Sequence, residues 1–107
     1  MAREQLKNLT EPMYYTLLAL TSPRHGYEIM QTVEVTTKGR VRIGAGTLYT
    51  LLSRFEKEKI ICRVSDDGRR KTYSLTEKGR ELLENEFNRL QLLVEDGNSF
   101  LRGDLHG

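Results

Sequence analysis

The sequence has 107 residues, 37% hydrophobic and 30% charged, with 17 Lys and Arg against 15 Asp and Glu. That is one domain's worth of chain with a modest core. It has no apolar run near the ~18 residues of a membrane span. Its opening, MAREQLKNLTEP, lacks the apolar stretch of a secretory signal, and a lone Cys62 excludes an internal disulfide framework, so a reducing cytoplasm is the expected setting.

The first helix is expected over roughly residues 10–21, with Thr10 as N-cap and Pro12 in the first turn, where its missing N–H costs nothing. Met13, Tyr14, Leu17, Leu18 and Leu20 supply its apolar stripe. Residues Thr21 to Gly26 read as a turn, and a second helix follows over about 26–36, with Tyr27, Met30 and Val33 three apart. Arg40, Val41, Arg42 and Ile43 alternate basic and apolar, as a short strand or extended approach does.

The third helix is expected to start at Gly44. Leu48, Leu51, Leu52 and Phe55 fall at i, i+3, i+4 and i+7, which makes one buried face. Gly46, Thr50, Ser53 and Lys57 point the other way, flanked by Tyr49 and Arg54. A solvated helix face favours Glu, Lys and Gln on propensity grounds. Glycine, threonine and serine there let the backbone approach another surface closely, and a helix N-terminus attracts phosphate.

Ile60 to Val64 is β-rich, Ser65-Asp66-Asp67-Gly68 is a turn signal, and Arg69 to Leu75 returns, which makes a hairpin. Three consecutive cations, Arg69, Arg70 and Lys71, stand at its tip. They either guard an edge strand or clamp phosphate. Cys62 is expected to be an inert core thiol.

The last helix is expected from the N-cap Thr76 to about Leu101, with Asp96-Gly97-Asn98 as a point where it could end or kink. Leu83, Phe87, Leu90, Val94, Gly97 and Leu101 repeat at spacings of four and three, a heptad seam. One helix cannot bury so much apolar surface within so small a globule, so a second copy of the chain is the expected partner.

Charge is unevenly spread. Residues 38–71 carry ten cations against four acids, whereas 1–37 carry three against four and 72–107 four against seven. A basic middle between acidic flanks suits one face meeting a polyanion. No catalytic motif appears, and Cys62, His25 and His106 are too scattered for a metal cluster, so no enzyme, no cofactor and no metal site is expected.

Three helices followed by a hairpin make a winged helix-turn-helix, a mainly α fold with a small β-hairpin wing (α+β). Residues 1–75 would form the DNA-binding unit and 76–107 the C-terminal dimerisation helix and tail. In that architecture the third helix enters the major groove of double-stranded DNA and the wing lies on the adjacent backbone. Arg42, Gly46, Ser53 and Lys57 fall on or beside that surface. The alternative is a winged helix that binds another protein without sequence-specific DNA binding.

The chain resembles the PadR family of bacterial transcriptional regulators. The resemblance is carried by His25-Gly26-Tyr27-Glu28-Ile29, Gly46-Thr47-Leu48-Tyr49, Leu52 with Arg54-Phe55-Glu56, Ile60-Ile61, and Gly68-Arg69-Arg70-Lys71 leading into Leu75-Thr76 and Gly79. It spans about residues 10–80 and looks like the compact subfamily with a single C-terminal helix. It implies a homodimeric repressor of a roughly palindromic operator. Thr47, Tyr49 and Thr50 would face DNA, with Arg69, Arg70 and Lys71 on the wing. Tyr27 would be either a phosphate contact or a core residue. Arg54 would reach phosphate or pair with Glu58 or Glu28.

Leu83, Phe87, Leu90, Val94 and Leu101 would form the dimer interface. Met13, Leu17, Phe87, Leu90 and Val94 would either line a pocket for a small hydrophobic effector or form a plain dimer core. The chain departs from the family pattern at Lys59, where a glycine is usual, so either Lys59 takes a left-handed cap or the helix ends differently. It departs also at Thr72 and Leu90, where aromatic residues are common, and it has no tryptophan.

Overall fold

The computed structural model describes residues 8–103. The elements run α1 (Glu11–Ala19), β1 (Arg24–His25), α2 (Gly26–Thr36), α3 (Ala45–Lys57), β2 (Ile61–Asp66), β3 (Lys71–Leu75) and α4 (Glu77–Leu101). His106 and both ends of the expected units lie outside the described residues.

Each helix start is capped by the residue type that its sequence offers. Thr10 accepts from the Met13 N–H at 3.4 Å, and Thr76 accepts from the Gly79 N–H at 3.0 Å. At α2 the cap is histidine. Nδ1 of His25 accepts from the Glu28 N–H, and the Glu28 carboxylate accepts from the His25 N–H at 3.0 Å, a reciprocal capping box. Gly44 caps α3 without a side chain.

Helix α1 is shorter than expected and stops at Ala19, where its last turn tightens, with the Leu20 N–H donating to the Leu17 carbonyl and the Thr21 N–H to the Leu18 carbonyl. The next segment is more than a turn. Arg24 and His25 pair antiparallel with Tyr73 and Thr72, which makes β3 the centre of a three-stranded sheet ordered β1-β3-β2. Two residues are too few to show a period, and their partner lies far along the chain. Residues 40–43 keep their expected alternation without becoming a strand. Val41 and Ile43 are buried and Arg40 and Arg42 exposed, but no neighbouring strand is paired to them.

The core gathers the inward faces of α1, α2 and α3, with Ile60, Ile61, Tyr73 and Leu83 closing it. Phe55, Leu17, Leu20, Ile29, Leu48 and Leu52 are fully buried at its centre. Thr37 holds the α2–α3 connection from inside. Its buried hydroxyl donates to the Val33 carbonyl at 2.8 Å and accepts from the Val41 N–H at 3.1 Å.

Lys59 takes the left-handed cap, with φ +64. The Ile60 N–H donates to the Phe55 carbonyl and the Lys59 N–H to the Glu56 carbonyl, the paired bonds of a Schellman ending. Helix α2 ends the same way, with Lys38 at φ +54 and the Gly39 N–H bonded to the Glu34 carbonyl.

Cys62 is exposed, contrary to expectation. Ile61 takes the inward side of β2, so the next residue faces out. Helix α4 runs unbroken through Gly97 to Leu101. One glycine costs a helix about 1 kcal/mol, too little by itself to interrupt 25 residues.

Candidate nucleic-acid interface

Helix α3 turns Leu48, Leu52 and Phe55 inward. The remaining faces hold Gly46, Thr47, Tyr49, Thr50, Ser53, Arg54 and Lys57, all exposed. A side chain at Gly46 would meet nothing within 4 Å, so no packing inside the chain requires a glycine there. Tyr49, Thr50, Ser53, Arg54 and Lys57 border one shallow groove along the outer side of this helix. Arg54 is turned to Glu58, with its Nε donating at 2.9 Å, which settles the choice of acidic partner.

The wing stands next to this face. Arg63 anchors its base, reaching Glu56 on α3 at 3.1 Å and Asp66 at 3.2 Å. The Glu56 hydrogen bond raises the Arg63 pKa, so the guanidinium is held firmly charged. The tip is closed by its own acids. Asp67 accepts from the Arg70 N–H at 2.7 Å and the Arg69 N–H at 3.0 Å, and Asp66 accepts from the Gly68 N–H at 2.9 Å. Those backbone bonds, Arg70's first, hold the Asp67 carboxyl below its ordinary range. Gly68, at φ +92, makes the reversal possible.

The acids at the tip are therefore engaged with backbone. Among the described residues, Arg69, Arg70 and Lys71 form no ion pair with a carboxylate. They line a cleft of about 330 Å³ between the wing and the start of α2. Its other walls are His25, Gly26, Tyr27, Tyr49 and Tyr73, with no carboxylate among them. Tyr27 is 60% exposed, which removes it from the core and puts its phenol on this surface. Cations, phenols and a helix start converging on one cleft beside a small, polar helix face can hold phosphate.

A model of the transcriptional regulator PadR-like family matches residues 16–85. The chain belongs to that family. Its matched stretch contains the whole of α2, α3 and the wing. PadR proteins are transcriptional regulators, not enzymes. The chain is 28% identical over 71 residues to the transcriptional regulator YqjI of Escherichia coli, covering 66% of this chain and 34% of that one. It spans between 18% and 64% of the length of the curated relatives that it matches.

A PadR-like transcription factor from Bacteroides fragilis superposes with a TM-score of 0.65 at 27% identity, over 82% of this chain and 86% of that one. A PadR-family regulator from Eggerthella lenta gives 0.69 at 24%, over 84% and 77%, a likeness of fold. No helix among the described residues is long and apolar enough to cross a membrane. Nor do the described residues place three or more His, Cys, Asp or Glu where they could hold a metal ion.

The PadR head thus brings Gly46, Thr47, Tyr49, Thr50, Ser53, Lys57 and the wing cations to adjoining surfaces, with Tyr27 beside them. Arg42 stands apart on the α2–α3 connection, 3.3 Å from Glu34 with both side chains well exposed. Lys38 and Arg40 stand on the same exposed connection.

The α4 residues divide. Phe87, Val94 and Leu101 are exposed, with Leu92, Leu93 and Phe100 widening the apolar surface, and Leu90 is half-buried. Leu83 is a correction. It is 4% exposed and packs in the chain's own core, because α4 turns Gly79, Leu83 and Glu86 toward the head. The expected pocket needs the same correction: Leu17 is fully buried and Met13 nearly so, leaving Phe87, Leu90 and Val94 as accessible members.

Three features escaped sequence reasoning. Arg63 fixes the wing to α3. Gly26 packs against the hydroxyl end of the Tyr49 side chain. Glu86 is a buried carboxylate that accepts two bonds from Arg89, at 2.9 and 2.8 Å, and one from the Leu9 N–H at 3.2 Å. Its position between Leu83 and Leu90 on the heptad was the available signal for burial.

Proposed function

We propose that this PadR protein is a DNA-binding transcriptional regulator, a homodimer that represses from a roughly palindromic operator in the cytoplasm. Helix α3 enters the major groove, with Thr47, Thr50 and Ser53 at base edges. Arg69, Arg70 and Lys71 take the adjacent backbone, and Lys57 and Arg42 extend the phosphate contact. The observation that carries this reading is the cleft itself, in which three cations that form no ion pair among the described residues stand together with Tyr49 of α3, at the edge of the exposed groove along that helix.

The second copy packs against the exposed part of α4. This helix is about 37 Å long at 1.5 Å per residue, and beyond Glu86 none of its residues is fully buried. Pairing through Phe87, Leu90, Val94 and Leu101 covers that apolar surface and sets the separation of the two heads. A small hydrophobic effector that alters the operator-bound state would enter between the paired helices, against the same side chains.

Binding to duplex DNA across a range of salt tests the function. Phosphate contact predicts a steep linear fall of log affinity with log salt. Failure to bind any duplex at low salt would overturn it in favour of a protein-binding winged helix. Sedimentation tests the assembly. The wild type is expected as a dimer and Leu90→Asp as a monomer with weaker operator binding, since the substitution buries a charge in the seam. A monomeric wild type refutes the pairing.

A further inference from the structure

Gly26 is buried at the first position of α2, yet it does not have the left-handed φ that usually calls for glycine. Alanine is the better helix former. The obstacle is Tyr49. A Cβ on residue 26 would come within 2.8 Å of Cζ of Tyr49 and closer still to the hydroxyl, and its three nearest atoms all belong to that side chain. The absence of a side chain at 26 is therefore matched to one aromatic ring on α3. That ring stands at the boundary between two surfaces, the cleft beneath the wing and the open groove along α3. Folded back onto Gly26, it brings its hydroxyl to the start of α2, on the cleft side.

We propose that Tyr49, seated on Gly26, donates its phenolic O–H to a backbone phosphate of the DNA held in this cleft with the wing cations, and so fixes register without reading a base. Gly26 is the positioning residue of the pair. This rests on the DNA-binding reading above. A phosphodiester oxygen accepts readily from a phenol, and Arg69, Arg70 and Lys71 supply the charge that keeps it there. Base discrimination is left to the smaller residues of α3, Thr47, Thr50 and Ser53.

The test uses the full chain, a duplex enriched from random-sequence DNA by binding to it, and an unrelated duplex of equal length. Tyr49→Phe is expected to weaken both by the same factor, roughly tenfold for a lost hydrogen bond to a charged group. It should leave the salt slope unchanged, since no cation is removed, whereas Arg70→Ala should flatten that slope. Gly26→Ala is expected to weaken both duplexes too, by displacing the ring. In a Tyr49→Ala background the same substitution should cost no affinity and should raise the melting temperature, because the better helix former now fits.

A changed ratio between the two duplexes in Tyr49→Phe would make Tyr49 a base reader and overturn the proposal. Unchanged affinity for both would overturn it as well, and so would an equal loss from Gly26→Ala with and without the Tyr49 ring. A wild type that binds no duplex ends both readings. A wild type that binds, with any of these contrary results, ends only this one.

Discussion

The hydroxyl of Thr76 donates to the carbonyl of Lys59 across 2.7 Å, joining the residue that caps α4 to the residue that ends α3. The Thr76 N–H also donates to the Ile60 carbonyl, and a Cβ at Gly79 would collide with that same carbonyl group. The start of α4 is thus pressed onto the end of α3 with no side chain between them.

Lys59→Gly is expected to stabilise the fold by about 1 kcal/mol. Lys59 holds the left-handed conformation that costs an ordinary residue about 1–2 kcal/mol, and glycine gives part of that back in unfolded-chain entropy. A shift of the urea midpoint to higher concentration at unchanged slope checks it.

Gly46→Ala should separate stability from binding. Nothing in the chain fills the space beside Gly46, so alanine should gain about 0.5 kcal/mol in helix propensity. The added methyl group would stand on the face proposed to meet DNA, and on that reading operator affinity should fall. Thermal melts and DNA titration of one preparation measure both quantities.

Arg70→Ala and Thr50→Ala should differ in kind. Loss of a phosphate contact weakens specific and unrelated DNA by similar factors, while loss of a base contact narrows the gap between operator variants by about 1–3 kcal/mol. Comparative titration against a small set of operator variants distinguishes them.

Glu86→Gln tests the buried carboxylate. Hydrogen bonding from Arg89 first, and from the Leu9 backbone, holds the Glu86 pKa below its ordinary value. A carboxyl lowered in the folded state stabilises the fold above its unfolded pKa, about 4.3, and loses that contribution as pH falls through the folded value. Arg89 is 41% exposed, so solvent screens the pair and the loss in Glu86→Gln at pH 7 should be only about 1 kcal/mol. The difference from wild type should shrink toward zero in acid, measured as melting temperature against pH.

Helices α2, α3 and α4 and the hairpin were legible in the sequence because each carries a local signal: a capping residue, an apolar period or an Asp-Gly turn. The cationic tip and the small outer face of α3 were legible for the same reason. Strand β1 was not, since Arg24 and His25 gain their identity from Tyr73 and Thr72 far along the chain. Cys62 was misplaced because a β-rich run does not reveal which of its alternate residues faces inward. Leu83 was read as seam because an apolar period shows that a face is buried and not by what. The Gly26–Tyr49 contact joins two separate elements, and no pattern in the linear order marks it.

Past Ile61, every residue of β2 is exposed, and Val64 forms a bulge between the pairs Arg63–Tyr73 and Ser65–Thr72. The outer ribbon owes almost nothing to the hydrophobic interior. Amides there should exchange with solvent well ahead of those in the helices, through openings that never melt the domain. Substitutions at the tip are correspondingly cheap in folding terms. On the proposed reading, the grip on DNA could be strengthened or relaxed by changing Arg69, Arg70 or Lys71 alone, so descendants of this scaffold could retune their affinity without rebuilding it.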